Sequence, residues 1–277
     1  MSSYLPETPR RKLRCAAPFV AVLLLLALPS SAAAQDLVTD RPDFTESALT
    51  ITPGRVQVEA GASVAEDDGT DALAVGEVLV RIGLSERWEL RLAPGSYERV
   101  EAGRGATVDG LGDSSVGVKL TLPEVARLFP DGARPDVAVI ADADLPTGDD
   151  ELGEDGVRPG AILSLAWDLS PRAGLGVNLG YRRARSGGER FNQGSASVAV
   201  GWAAGDRLSL FGEWFAVGEL VPPSRPGRGA DTDWVHHADG GLTWLVNDDF
   251  QLDAFVGFGL SDEAPDHFAG VGFAARF

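Results

Sequence analysis

The closing stretch "HFAGVGFAARF" (His267–Phe277) places Ala269, Val271, Phe273, Ala275 and Phe277 at every second position, with Phe268, Gly270, Gly272, Ala274 and Arg276 between them. Period two is the signature of a β-strand with two unlike faces. The stretch "LGDSSVGVKLTL" (Leu111–Leu122) repeats the pattern, with Val116, Val118, Leu120 and Leu122 set against Asp113, Ser115, Gly117, Lys119 and Thr121. That polar face is too charged for a dry core, because a buried unpaired charge costs several kcal/mol. The arrangement that satisfies both faces turns the apolar side chains outward to lipid and the polar ones inward to a wet lumen.

Twelve such segments can be read between Arg55 and Phe277: Arg55–Ser63, Leu73–Gly83, Trp88–Ser96, Leu111–Leu122, Asp136–Leu145, Gly160–Asp168, Gly174–Arg182, Phe191–Trp202, Arg207–Val217, Trp234–Leu245, Phe250–Leu260 and His267–Phe277. Their connections alternate. "LSER", "SPR", "AAGD" and "VNDD" are short, whereas Val64–Ala72, Tyr97–Gly110, Pro146–Pro159, Arg183–Arg190, Gly218–Asp233 and Ser261–Asp266 are expected as longer loops. An even strand count, with short turns at one end and long loops at the other, predicts an all-β fold: a transmembrane up-and-down antiparallel β-barrel of about 12 strands. Trp88, Trp167, Trp202 and Trp244 fall beside the short turns, where an aromatic girdle stands. One short-side connection, Pro123–Pro135, is long, and "EVARLF" within it (Glu124–Phe129) predicts a single helical turn.

Ahead of the strands, Arg10, Arg11, Lys12 and Arg14 precede an apolar run from Ala16 to Leu28 and the small residues Ala32, Ala33 and Ala34. This is the pattern of a cleaved signal peptide; its apolar run is about thirteen residues, short of the roughly twenty that span a bilayer. The expected organisation is a signal peptide over 1–34, a polar segment over 35–54 and the barrel over 55–277. Cleavage removes the single cysteine, Cys15, and with it disulfides, thiol nucleophiles and cysteine metal sites. It also removes four of the 24 Lys+Arg and one of the 41 Asp+Glu, leaving 20 against 40. Such acidity excludes a nucleic-acid partner, which needs a basic footprint.

The terminal Phe277, with apolar residues at every second position before it, resembles the C-terminal signature of outer-membrane barrels and implies recognition by the barrel-assembly machinery. "TDRPDFTESALTITPGRVQVEAG" (Thr39–Gly61) resembles the start of the mature region in the outer-membrane family named for the meta-pathway of phenol degradation, whose T-D-R-P-D segment precedes a Pro-Gly turn and the first strand. Thr39, Asp40, Arg41, Pro42 and Asp43, then Pro53 and Gly54, carry that likeness. "GLGDSSVGVK" (Gly110–Lys119) resembles the family's G-x-G-D-x-x-x-G-x-K segment. The resemblance implies a barrel in the outer membrane of a Gram-negative bacterium, in contact with its lipid and lipopolysaccharide. The expected function is a transporter or narrow channel for small solutes, with aromatic or other hydrophobic compounds suggested by the family label. The alternatives are a structural barrel with a filled lumen and a lipid-modifying enzyme.

Taking the polar face as lumen gives the pore candidates Glu59, Glu77, Arg81, Glu89, Arg91, Asp113, Lys119, Asp142, Asp144, Asp168, Arg182, Glu213, Asp239, Asp253 and Arg276. Acids outnumber bases, which favours cations or neutral solutes over anions. Around the Ser85-Glu86 turn, Arg81 is expected opposite Glu89 and Glu77 diagonal to Arg91. In the leading segment, Asp40, Asp43 and Glu46 offer acceptors to Arg41 or to nearby amides. The segment reads either as an ordered lead-in to the first strand or as a polar plug at the periplasmic mouth. Its carboxylates lack the spacing of a metal loop, and no cofactor or metal is expected. The acidic stretches "EDDGTD" (Glu66–Asp71), "GDDELGED" (Gly148–Asp155) and "SDEAPD" (Ser261–Asp266) read as solvated loops, with divalent cations bridging them to lipid phosphates as the alternative. Enzymatic chemistry is not expected. The mature histidines are His236, His237 and His267, and no G-x-S-x-G marks a nucleophile.

Overall fold

The computed structural model describes residues 37–102, 105–186, 189–220 and 234–277; the expected signal peptide and most of the 218–233 loop lie outside them. Fifteen strand segments form one sheet: β1 (Val56–Asp67), β2 (Thr70–Val75), β3 (Leu79–Gly83), β4 (Trp88–Ala93), β5 (Tyr97–Ala102), β6 (Ala106–Leu111), β7 (Ser114–Thr121), β8 (Asp136–Leu145), β9 (Arg158–Ser170), β10 (Ala173–Ser186), β11 (Glu189–Ala203), β12 (Leu208–Glu219), β13 (Val235–Asn247), β14 (Phe250–Gly259) and β15 (His267–Arg276). All pairings are antiparallel and β15 returns to β1. Three staves are interrupted: β2 continues as β3, β4 as β5 and β6 as β7, so the closed barrel has twelve staves, as the even count predicts.

The interruptions coincide with Gly76, with Pro94-Gly95 and with Gly112. A backbone carbonyl, that of Gly112, occupies the space a Cβ on Gly95 would take, at 1.9 Å. Only glycine lets the two bent staves approach so closely. At the seam, Val56 N donates to Phe277 O (3.2 Å) and Phe277 N to Val56 O (2.8 Å), so the last residue closes the ring.

Register confirms the two faces. Outward Val58, Ala60 and Ala62 pair with outward Ala275, Phe273 and Val271, while inward Gln57 and Glu59 pair with Arg276 and Ala274. Trp88, Trp202 and Trp244 are exposed on the outer face next to the short turns, and Trp167 donates its indole N–H to Ala133 O (3.1 Å) in the long 122–135 connection. That connection contains α1 (Pro123–Ala126), the single turn expected near "EVARLF".

Two expectations need correction. Val64–Ala72, Tyr97–Gly110 and Arg183–Arg190 are mostly strand, so the wall rises well past the expected ends. The acidic "EDDGTD" is the tip of a hairpin, because Asp68 (φ 44°) and Gly69 (φ 78°) form the tight Asp-Gly turn whose twist matches its flanking strands. In the second correction, the β3–β4 turn centres on Glu86 rather than Ser85. Arg81 therefore faces Arg91, and Glu89 faces Gly83. A shift of two residues preserves the face, so the same side chains still point inward.

The positive φ at Gly69 gives a test of the hairpin. Gly69→Val forces a β-branched residue into the left-handed region, at a cost of roughly 1–2 kcal/mol. A lower urea midpoint of the folded barrel in micelles, without loss of the heat-modifiable band, is the expected result.

Candidate functional site: the lumen and its N-terminal plug

Residues 37–54 do not stop at the mouth of the barrel. They run through the lumen and bond to both sides of its wall. Thr39 meets Gln251 of β14 (3.2 Å); Thr45 meets Ser197 of β11 (2.7 Å); Ile51 N donates to Glu89 of β4 (3.0 Å). The Glu46 backbone is clasped by three hydrogen bonds from two side chains. Asn178 accepts from Glu46 N (2.7 Å) and donates to Glu46 O (3.0 Å), and Ser164 donates to the same carbonyl (2.7 Å). The Arg41–Pro42 peptide is cis.

Asp40 is the centre of the docking. On the wall, Arg81 reaches both oxygens of Glu89 (2.8 and 3.0 Å) and Glu59 Oε1 (2.9 Å). Directly opposite it stands Arg91, and Lys119 faces Glu89 from β7. Three cations thus meet two wall carboxylates, and all five side chains are buried. Asp40 supplies the third negative charge: its carboxylate takes Lys119 Nζ (2.9 and 3.1 Å), Arg91 Nη1 and Arg81 Nη1 (3.3 Å). Burial alone would raise its pKa, but Arg81, Lys119 and Arg91 together hold it well below the ordinary carboxylate value. Its amide also donates to Glu59 Oε2 (3.0 Å), and its Oδ1 accepts from Ser47 N (2.8 Å).

Of the two uses expected for the segment's carboxylates, Asp40 takes the second by accepting from the nearby Ser47 amide, and Arg41 turns to the wall instead. It extends to Glu77 (3.5 Å) and Asp253 (3.4 Å), lying against Gly61 and Gly272, where an added Cβ would fall 2.2 and 2.5 Å from its guanidinium group. Glu46 joins Arg91 (2.7 Å). Phe44 N donates to Glu213 (2.6 Å), and Thr45 Oγ1 bonds the same carboxylate.

The other lumen candidates gather elsewhere. Toward the long-loop end, Arg182 bridges Asp142 (2.5 Å) and Asp144 (2.9 Å), while Arg158 bridges Asp144 (3.4 Å) and Asp113 (3.1 Å). Asp113 also accepts from Thr147 N (3.1 Å), Gly148 N (2.8 Å) and Glu154 N (3.0 Å), which folds the 146–157 connection over the wall. "GDDELGED" is therefore tethered at its ends rather than a free loop. Asp239 pairs across strands with Glu213. Asp168 is exposed near the short-turn end, and Arg276 binds Asp249 there (2.8 Å).

Sequence reading passed over the aromatic part of the lumen. Phe44 of the plug stacks on Phe215 (centroids 4.5 Å, 11°), Phe215 stacks on His237 (4.4 Å, 8°), and Phe268 meets both edge-on (6.2 and 6.0 Å). The Phe268 and Phe255 rings lie where Cβ atoms on their cross-strand partners, Gly257 and Gly270, would be. The parity of β12 to β15 could have revealed this, since the same alternation that puts Glu213 and Asp253 inward puts Phe215 and Phe255 inward too.

Residues 39–277 match the sequence model of the family described as "Putative MetA-pathway of phenol degradation". The chain belongs to this family. In this chain both motifs noted above act as contact points: Thr39–Asp43 on the plug, and Asp113 just ahead of β7 with Lys119 within it. The COG4313 outer membrane channel from Pseudomonas putida F1 superposes with a TM-score of 0.59 at 13% identity, covering 83% of this chain and 98% of that one. The NanC porin gives 0.53 at 11% identity, covering 80% and 100%. At these identities the likeness is one of fold. No curated protein matches the chain.

Two tests follow from the plug. Asp40→Asn leaves a buried cation uncompensated, a change worth about 3–5 kcal/mol. Fluorescent maleimide should then label a cysteine at Ser47 much faster than in the same cysteine variant with Asp40 intact. The second concerns Asp43, whose pKa is pushed well above 3.8 by burial first and then by Glu213, Asp40 and Asp239. A raised folded pKa means docking is strongest below 3.8 and weakens as the pH climbs through the raised value. Labelling at Ser47 should speed up with pH, after correction for thiol ionisation, and Asp43→Asn should flatten that trend.

Proposed function

We propose that the chain is an outer-membrane channel for small solutes whose N-terminal segment is a removable plug. The observation that carries this reading is how the plug is held. Its contacts are ion pairs and hydrogen bonds to lumen side chains, with few apolar side chains buried against the wall, so water can replace them at modest cost. A segment that served only to fix the first strand would have no use for bonds to β10, β11 and β12 on the far wall. The stacked rings of Phe44, Phe215 and His237 offer an apolar track beside the polar contacts, which suits solutes with an aromatic or other hydrophobic part, as the family's description suggests.

A disulfide tests the plug directly. Thr45 Oγ1 and Ser197 Oγ lie 2.7 Å apart, so Thr45→Cys with Ser197→Cys places two thiols within bonding reach. In planar bilayers the oxidised double variant is expected to stay closed, and reduction should restore conductance to the level of the unmodified barrel. Conductance that is the same oxidised and reduced excludes plug movement. A folded, heat-modifiable barrel silent in every state, including with residues 37–47 deleted, excludes the channel and leaves a structural barrel with a filled lumen.

A further inference from the structure

The lumen is divided by charge. Around Asp40 the three wall cations Arg81, Arg91 and Lys119 meet four carboxylates, those of Glu59, Glu89, Asp40 and Glu46. Beyond it, toward the long-loop end, Asp43, Glu77, Asp113, Asp142, Asp144, Glu213, Asp239 and Asp253 share only Arg41, Arg158 and Arg182 among the groups bonded to them. Among the described residues, Asp43, Glu213 and Asp239 form no ion pair at all, and Asp239 Oδ1 and His237 Nδ1 are buried without a hydrogen-bond partner.

A cavity of about 400 Å³ opens beside Asp43; its charged lining residues are Asp43, Glu46 and Arg182, and Phe44, Gln193, Ser195 and Val217 line it too. Phe44 stacks one face on Phe215 and lines the cavity while 42% exposed. Asn178 is already engaged with the Glu46 backbone and Arg182 with Asp142 and Asp144. What the cavity offers a ligand is one unpaired carboxylate, an aromatic ring, and the free amide and hydroxyl of Gln193 and Ser195. A carboxylate beside an aromatic ring attracts a cation through charge and through the ring's negative face. No group of three acidic or histidine side chains among the described residues is arranged to hold a metal ion, and the apolar lining of Phe44 and Val217 suits carbon.

Resting on the channel reading and naming its solute class, we propose that this cavity binds organic ammonium compounds, the cationic head at Asp43 and the hydrocarbon part against Phe44 and Val217. Anions are turned away by the same unbalanced carboxylates, and neutral aromatics lose the contact to Asp43.

The test is calorimetric titration of the purified barrel in micelles with benzylammonium, benzyl alcohol and benzoate. Benzylammonium is expected to bind about tenfold more tightly than benzyl alcohol, and benzoate more weakly than either. Asp43→Asn should remove most of the gap between ammonium and alcohol while the barrel remains heat-modifiable, and Phe44→Leu should weaken both. Equal binding of ammonium and alcohol, or a gap that survives Asp43→Asn, overturns the assignment. Because titration needs no current, the two readings fail separately. Binding without conductance removes the channel and keeps the site, whereas conductance without ammonium preference removes the site and keeps the channel.

Discussion

The buried meeting of Arg81, Arg91 and Lys119 is the constraint on which the lumen depends. Two arginines opposite each other on neighbouring strands repel, and Glu59 and Glu89 offset only two of the three charges. Such a wall is uncomfortable when empty and satisfied when a carboxylate arrives from outside the sheet. Asp40 is that carboxylate, and Glu46 of the same segment adds a second on Arg91. The plug is thus part of the electrostatic closure of the barrel, and the wall in turn specifies where the plug sits. A hydrophobic plug would have been held more tightly by burial, but it could not have been replaced by water when it left.

One strand joins the two ends of this arrangement. In "GLGDSSVGVK", Asp113 holds the 146–157 connection at the long-loop end, and Lys119 holds Asp40 deeper in the barrel. The glycines of the motif, Gly110 ahead of Asp113 and Gly117 between Asp113 and Lys119, make the spacing workable. A Cβ at Gly110 would fall 2.5 Å from Asp149 Oδ2, and one at Gly117 would fall 2.9 Å from the Asp142 Cβ. The motif is better understood as a strand gripping two segments, with glycines where those segments or the neighbouring wall press closest, than as a pore lining.

Much of this was legible in the sequence, because period two fixes the face of a residue whatever its partner. Glu59, Glu89, Asp142 and Asp253 were assigned inward on that ground alone, and all four point inward. Partners were harder. Register depends on turn length: a turn centred one residue later puts Arg91 directly opposite Arg81, yet the ion pair between Arg81 and Glu89 still forms, now on the diagonal. The plug's path was also hidden, since no periodicity governs residues 37–54 and their contacts lie up to 230 positions away in the chain, as Arg41 with the Val271 carbonyl shows. The aromatic stack carries no charge to mark it as lumen in the sequence, although Phe215 and Phe268 obey the same parity.

The division of the lumen into a zone rich in cations and an acidic one bears on how a plugged barrel can discriminate. Asp40 is matched by three cations, so moving it exposes positive charge in the zone nearer the short turns. Asp43, three residues on, is matched by none, and moving it relieves repulsion from Glu213 and Asp239. The two carboxylates therefore pull the plug in opposite directions, one toward the wall and one away. A cation arriving beside Asp43 removes the outward pull and leaves the inward one, so it would tighten the plug at first contact.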